Sequence, residues 1–98
     1  MHETNGKLPS PESLALDALV WTISDSARAE RLLGLTGLTP DRLRAGLSEA
    51  ATQSAVLLFL ESHEPDLLAC ADALGCAPGQ LVAARQLLEG AIGAEMEV

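Results

Sequence analysis

The sequence predicts an all-α fold: a compact single-domain bundle of five to six short helices joined by short loops punctuated with Gly and Pro. Three observations carry that prediction. Apolar residues are 48% of the chain, supplied mainly by Leu and Ala, with one Phe, one Trp and no Tyr. Leu and Ala lose little rotamer freedom in a helix, so they favour it. Four of the five prolines, Pro11, Pro40, Pro65 and Pro78, are each followed three residues later by a leucine: Leu14, Leu43, Leu68 and Leu81. Proline suits the first helical position, where its missing N–H costs nothing, so each of the four marks a helix start. Finally, Gly37, Gly75 and Gly90 stand where left-handed C-terminal caps belong.

The pattern places helices at 11–24, 27–35, 40–47, 49–62, 65–74 and 78–89. Residues 1–9 are polar and aperiodic and read as a flexible N-terminus, 10–90 as the helical domain, and 91–98 as a flexible acidic C-terminus. In the first helix Leu16, Leu19, Val20 and Ile23 form the inward stripe, with Leu14, Ala18 and Trp21 beside it. Ser10 and Thr39 are good N-caps because a side-chain oxygen can accept an orphan N–H; Glu64 is weaker and Ala77 cannot cap. Leu38 with Leu43, and Cys76 with Leu81, have the spacing of hydrophobic staples. The fourth helix is apolar almost all round at "AVLLFL", 55–60, and reads as the central one. A charge at Leu58 or Phe59 is therefore expected to unfold the chain. Loops this short should make sequential helices pack as neighbours.

"GLTPDRL" at 37–43 returns in outline as "GCAPGQL" at 75–81. The pairs Gly37/Gly75, Pro40/Pro78, Leu43/Leu81 and Ala45/Ala83 coincide. Two copies are too few for a solenoid, and the shared positions read as corner and core chemistry.

The formal net charge is −8, from fourteen acids and six bases. Residues 1–44 carry six acids and five bases, whereas 45–98 carry eight acids and Arg85 alone. Such a surface repels phosphate backbones and anionic lipid. The apolar run at 55–60 is too short for a membrane span, and the N-terminus lacks the pattern of a secretory leader. The expectation is a cytoplasmic protein without membrane attachment. In that setting Cys70 and Cys76 read as reduced, small hydrophobes.

Ala71, Gly75 and Leu81 have helix-turn-helix spacing, and Gln80, Arg85 and Gln86 would then face a groove. The missing phosphate-neutralising charge argues against it. "SHEPDLLAC" gathers His63, Glu64, Asp66 and Cys70 without the i, i+4 ligand pairing of a helical zinc site. Glu64 and Asp66 instead suit the positive end of a helix dipole. No nucleophile–base constellation, Gly-rich phosphate loop or "GxSxG" elbow is present. The sequence thus points away from an enzyme and assigns no catalytic residue, cofactor or metal ligand.

One concentration of positive charge stands out. Arg28, Arg31, Arg42 and Arg44 flank the turn at Gly37, and arginine's planar fork binds carboxylates well. They are the candidate partner-binding residues, with an acidic protein surface as the expected ligand. On that reading Arg31→Glu with Arg42→Glu abolishes binding and leaves the fold intact. The alternative is a solvated face in which they pair with Asp25, Glu30 and Asp41.

"RLLGLTGLTPDRLRAGL" at 31–47, "VLLFLESHEPDLLACADALG" at 56–75 and "PGQLVAARQLLEG" at 78–90 resemble an alphaproteobacterial family of small proteins, domain of unknown function 3572. The resemblance spans roughly 14–89, with "TGLTPDRLR" and "HEPDLL" its most specific parts. It implies a bacterial cytosolic setting. Its members' frequent encoding beside cell-cycle response regulators further implies a signalling protein as partner. It assigns no activity, cofactor or site residue. The expected role is a small non-enzymatic protein-interaction module, a regulator or adaptor, with partner and oligomeric state open. The runner-up is a helix-turn-helix nucleic-acid binder using 65–89 or 27–47. A small-molecule or metal site among the helices comes third.

Overall fold

In the computed structural model, residues 10–96 are described. They form six helices and no strand: α1 (Pro11–Ile23), α2 (Ser26–Thr36), α3 (Pro40–Ala45), α4 (Ala50–Glu61), α5 (Glu64–Leu74) and α6 (Pro78–Met96). Each of the four proline corners starts a helix. Ser10 Oγ accepts the Ser13 N–H at 3.0 Å, and Thr39 Oγ1 accepts that of Arg42 at 3.1 Å. Asp25 caps α2 through Arg28 N–H. Ala77 has no capping oxygen, yet its own N–H is taken by Gln80 Oε1 at 2.8 Å, the reciprocal half of a capping box. The start of α4 lacks any such bond, since Glu49 stands there without capping through its side chain.

Gly37 and Gly75 close α2 and α5 in the left-handed region, at φ 75° and 73°. Gly90 does not cap. It lies inside α6, which continues to Met96, so the helix passes the expected stop at residue 89. Residues 97–98, and the N-terminal 1–9, on which parts of the two expected flexible termini fall, lie outside the described residues.

The core is made by α4, which packs most extensively on α6 and also against α1, α5 and α2. Leu57, Leu60, Val56, Leu32, Leu81 and Leu88 are fully buried. The radius of gyration, 13.5 Å, is close to the ~13 Å of a globule of about 100 residues. Sequential neighbours pack with one exception. α3 has no extensive contact with any helix, and Leu43 is its one buried residue. In the internal repeat, Leu43 and Leu81 are buried but Ala45 and Ala83 are exposed, so those alanines are surface positions.

Two expectations about inward faces are corrected. In α1 the buried side is Leu14, Ala15, Ala18, Leu19 and Thr22. Leu16, Val20 and Ile23 are exposed, Val20 at 64%. The helix is apolar on more of its circumference than its neighbours can cover, and the small residues Ala15 and Ala18 let the others approach closely. Thr22 is tolerated inside because its hydroxyl donates to Ala18 O at 2.8 Å. In α4, Phe59 is 4% exposed but Leu58 is 52% exposed. A charge at Leu58 therefore meets water rather than core.

Candidate interaction surface

The four candidate arginines come from α2 and α3, and the structure divides them. Arg28 turns back onto the end of α1. Its guanidinium lies 3.7 Å from the Trp21 ring centroid and donates to Trp21 O at 2.7 Å. Arg31 crosses to α5 and donates to Asp66 Oδ2 at 2.8 Å. His63 Nδ1 lies 3.0 Å from the same oxygen. Burial would push the Asp66 carboxyl up, but the bonds from Arg31 and His63 outweigh it and hold the group below its ordinary 3.8. Arg31→Glu would set a carboxylate against Asp66, so the expectation that this change spares the fold is corrected.

Arg42 and Arg44 are two positions apart on α3, about 200° around the helix, and each lines a different groove. Arg44 pairs with Asp41 at 3.1 Å in an exposed ion pair. Arg42 has no carboxylate partner among the described residues. Of the pairings named in the solvated-face alternative, that of Arg44 with Asp41 is present, while Arg28 and Arg31 make bonds it did not name.

Arg42 stands beside a groove of about 710 Å³ between the end of α2, α3 and α4, floored by Leu35, Leu58 and Phe59, with Thr52 and Glu49 on its polar side. Arg44 stands beside a groove of about 410 Å³ between α1, α2 and α3. There the exposed face of α1, Leu16, Val20 and Ile23, lies across from Leu33 and Leu47, and Arg44 is the one ionisable residue in the lining. Sequence reasoning assigned those α1 residues to the core. The signal available was an excess: too many apolar positions in 14–23 for one buried stripe.

The helix-turn-helix candidate has suitable geometry but its cation is engaged. α5 and α6 meet at 100° across the turn at Gly75, within the range of such motifs. Arg85, however, donates to Glu61 and, at 2.8 Å, to Glu89. Gln80 is occupied at the cap of α6.

Cys70 is buried and Cys76 half-buried, both as free thiols. Burial pushes the Cys70 thiol up to about 11, and that of Cys76 in the same direction. Such thiols are poor nucleophiles and poor ligands near neutral pH. Among the described residues no group of three or more His, Cys, Asp or Glu is placed to hold a metal ion. No single helix there is long and apolar enough to cross a membrane.

No curated protein and no solved structure matches the chain. A family model does, over residues 9–91, which takes in all but the last turn of the helical bundle. The chain belongs to the family described as protein of unknown function, DUF3572.

Proposed function

We propose that this protein is a small non-enzymatic interaction module of the bacterial cytosol, a regulator or adaptor that presents the α1–α2–α3 groove to another protein. The observation that carries the proposal is the α1 face itself. Leu16, Val20 and Ile23 are all exposed and lie along one groove with Leu33 and Leu47. Scattered surface leucines need no explanation, but a contiguous apolar groove with a polar edge is the usual form of a docking site. Arg44, and Arg42 on the other side of α3, give each groove a carboxylate-binding edge.

The test compares capture of cytosolic proteins by wild type and Val20→Asp, followed by titration of each with the purified protein recovered. Val20 is exposed, so the variant should keep its circular dichroism spectrum and melting point while losing that protein. Undiminished affinity would remove the groove from the proposal.

One observation favours a second reading, nucleic-acid binding through 65–89: the 100° angle between α5 and α6. Against it stands charge. Arg85 is the sole lysine or arginine in 45–98 and is held by two carboxylates, which leaves little to neutralise phosphate. A salt-dependent gel shift with duplex DNA would reverse the order of the two readings.

A further inference from the structure

The occupant of the α1–α2–α3 groove can be specified from its lining, given the interaction reading on which this inference rests. We infer that the groove takes one amphipathic helix with an acidic flank, whose carboxylate replaces Asp41 on Arg44.

Shape comes first. Leu16, Val20 and Ile23 run along α1 at spacings of four and three, a line about 10 Å long at the α-helical rise. A partner helix shows the same spacing along its own apolar stripe, so two turns of it match that line. The other walls are helices as well, and no strand edge exists among the described residues for an extended peptide to extend. Ridges of one helix in the trough between others is the packing this surface already uses inside the fold.

Charge selects the flank. Arg44 is the one ionisable residue lining the groove, and Asp41, its present partner, is 93% exposed. An exposed pair of this kind contributes little. Exchanging Asp41 for a partner carboxylate keeps the guanidinium paired and returns Asp41 to water, where it is already solvated. A lysine in the same place would face Arg44 across a surface that is losing its water. On a chain of net charge −8 the attraction is short-range: Arg44 is the one charge the groove lining offers to a docked flank.

A second copy of this chain fits less well. A two-fold interface places the same patch on itself, here a groove against a groove, so neither side brings a ridge to fill the other.

The test uses two synthetic helical peptides of about 18 residues, long enough to hold some helix alone. Both carry Leu at i, i+4 and i+7; one has Glu along the flank and the other Lys. Binding is read by calorimetry and by amide shifts in the isotope-labelled full chain. The Glu peptide should bind at least about tenfold more tightly than the Lys peptide and shift the amides of Leu16, Val20, Ile23 and Leu33, and Arg44→Glu should invert the preference. Equal binding of both peptides at these residues would leave the interaction reading standing and overturn the acidic-helix inference. If neither peptide shifts these amides, both the inference and the placement of the docking site fall. A concentration-dependent dimer in sedimentation that Val20→Asp dissociates would make a second copy the occupant, and the inference would again be overturned.

Discussion

Arg31 on α2 and Asp66 at the start of α5, thirty-five residues apart in sequence, meet at 2.8 Å. The bond ties two helices that have no extensive packing on each other. Asp66 is buried, so removing Arg31 leaves its carboxylate with the His63 contact alone. Arg31→Met is expected to destabilise the protein by about 1–3 kcal/mol, measured by urea unfolding. The folded carboxyl titrates below its ordinary 3.8, so its contribution is full above about pH 5 and is lost as pH falls through the folded value. The gap in stability between wild type and Asp66→Asn should therefore narrow on acidification. A gap independent of pH would show that the carboxylate charge contributes nothing.

Adjacent residues of α4 should behave oppositely. Phe59 is buried and packs with the core, while Leu58 faces the α2–α3–α4 groove. Phe59→Ala is expected to cost about 3–5 kcal/mol, whereas Leu58→Ala should stay within about 0.5 kcal/mol. Phe59→Asp should unfold the chain; Leu58→Asp should melt cooperatively near the wild-type temperature. Equal losses at both positions would contradict the burial of α4.

The corners of this fold are legible in sequence because they are local. Pro11, Pro40, Pro65 and Pro78 set helix starts through their own rings, Ser10 and Thr39 bond three residues ahead, and Gly37 and Gly75 adopt a conformation other residues avoid. Inward faces were harder to read. In 14–23 the apolar residues exceed one stripe, and which of them are buried depends on where α4 and α6 come to lie. The grooves are not legible for the same reason, since Leu16 and Leu47 come to line one groove only once α1, α2 and α3 have taken their places. Arg42 and Arg44 were singled out by charge alone, and the structure puts them on groove edges. The Arg31–Asp66 and Arg85–Glu61 pairs had no sequence signal, because nothing local brings those residues together.

Two glycines give a paired test of the backbone. Gly34 lies inside α2, and a Cβ there would have nothing within 4 Å. Gly34→Ala should stabilise the protein by about 0.5–1 kcal/mol through helix propensity. Gly46 follows α3, where a Cβ would collide with Thr52 Oγ1 on α4. Gly46→Ala should destabilise by about 1–3 kcal/mol, and Thr52→Ala in the same chain should recover most of that loss. Thermal melting of the three variants decides it. Failure of Thr52→Ala to rescue would mean the close approach of Gly46 to Thr52 is not the cause.

The α1–α2 corner carries its own optical probe. Trp21 is the one tryptophan, half-buried against the core, and the Arg28 guanidinium covers its ring at 3.7 Å. The same side chain donates to Trp21 O and, at 3.2 Å, to Ser24 Oγ, so it pins the last turn of α1 to the start of α2. Arg28→Ala removes both the ring contact and the bond to the carbonyl, with an expected loss of about 1–2 kcal/mol. Trp21 emission should move to longer wavelength and become more open to iodide quenching as water reaches the exposed ring face. Arg28→Lys keeps the charge but not the planar fork that stacks on the ring and donates at two points, so it should recover only part of the loss. Ile23 and Ala29, on either side of this corner, line the α1–α2–α3 groove. A loosened corner should therefore weaken the acidic helical peptide as well, although Arg28 does not line the groove. Unchanged emission in Arg28→Ala would show that the arginine does not cover the ring in solution.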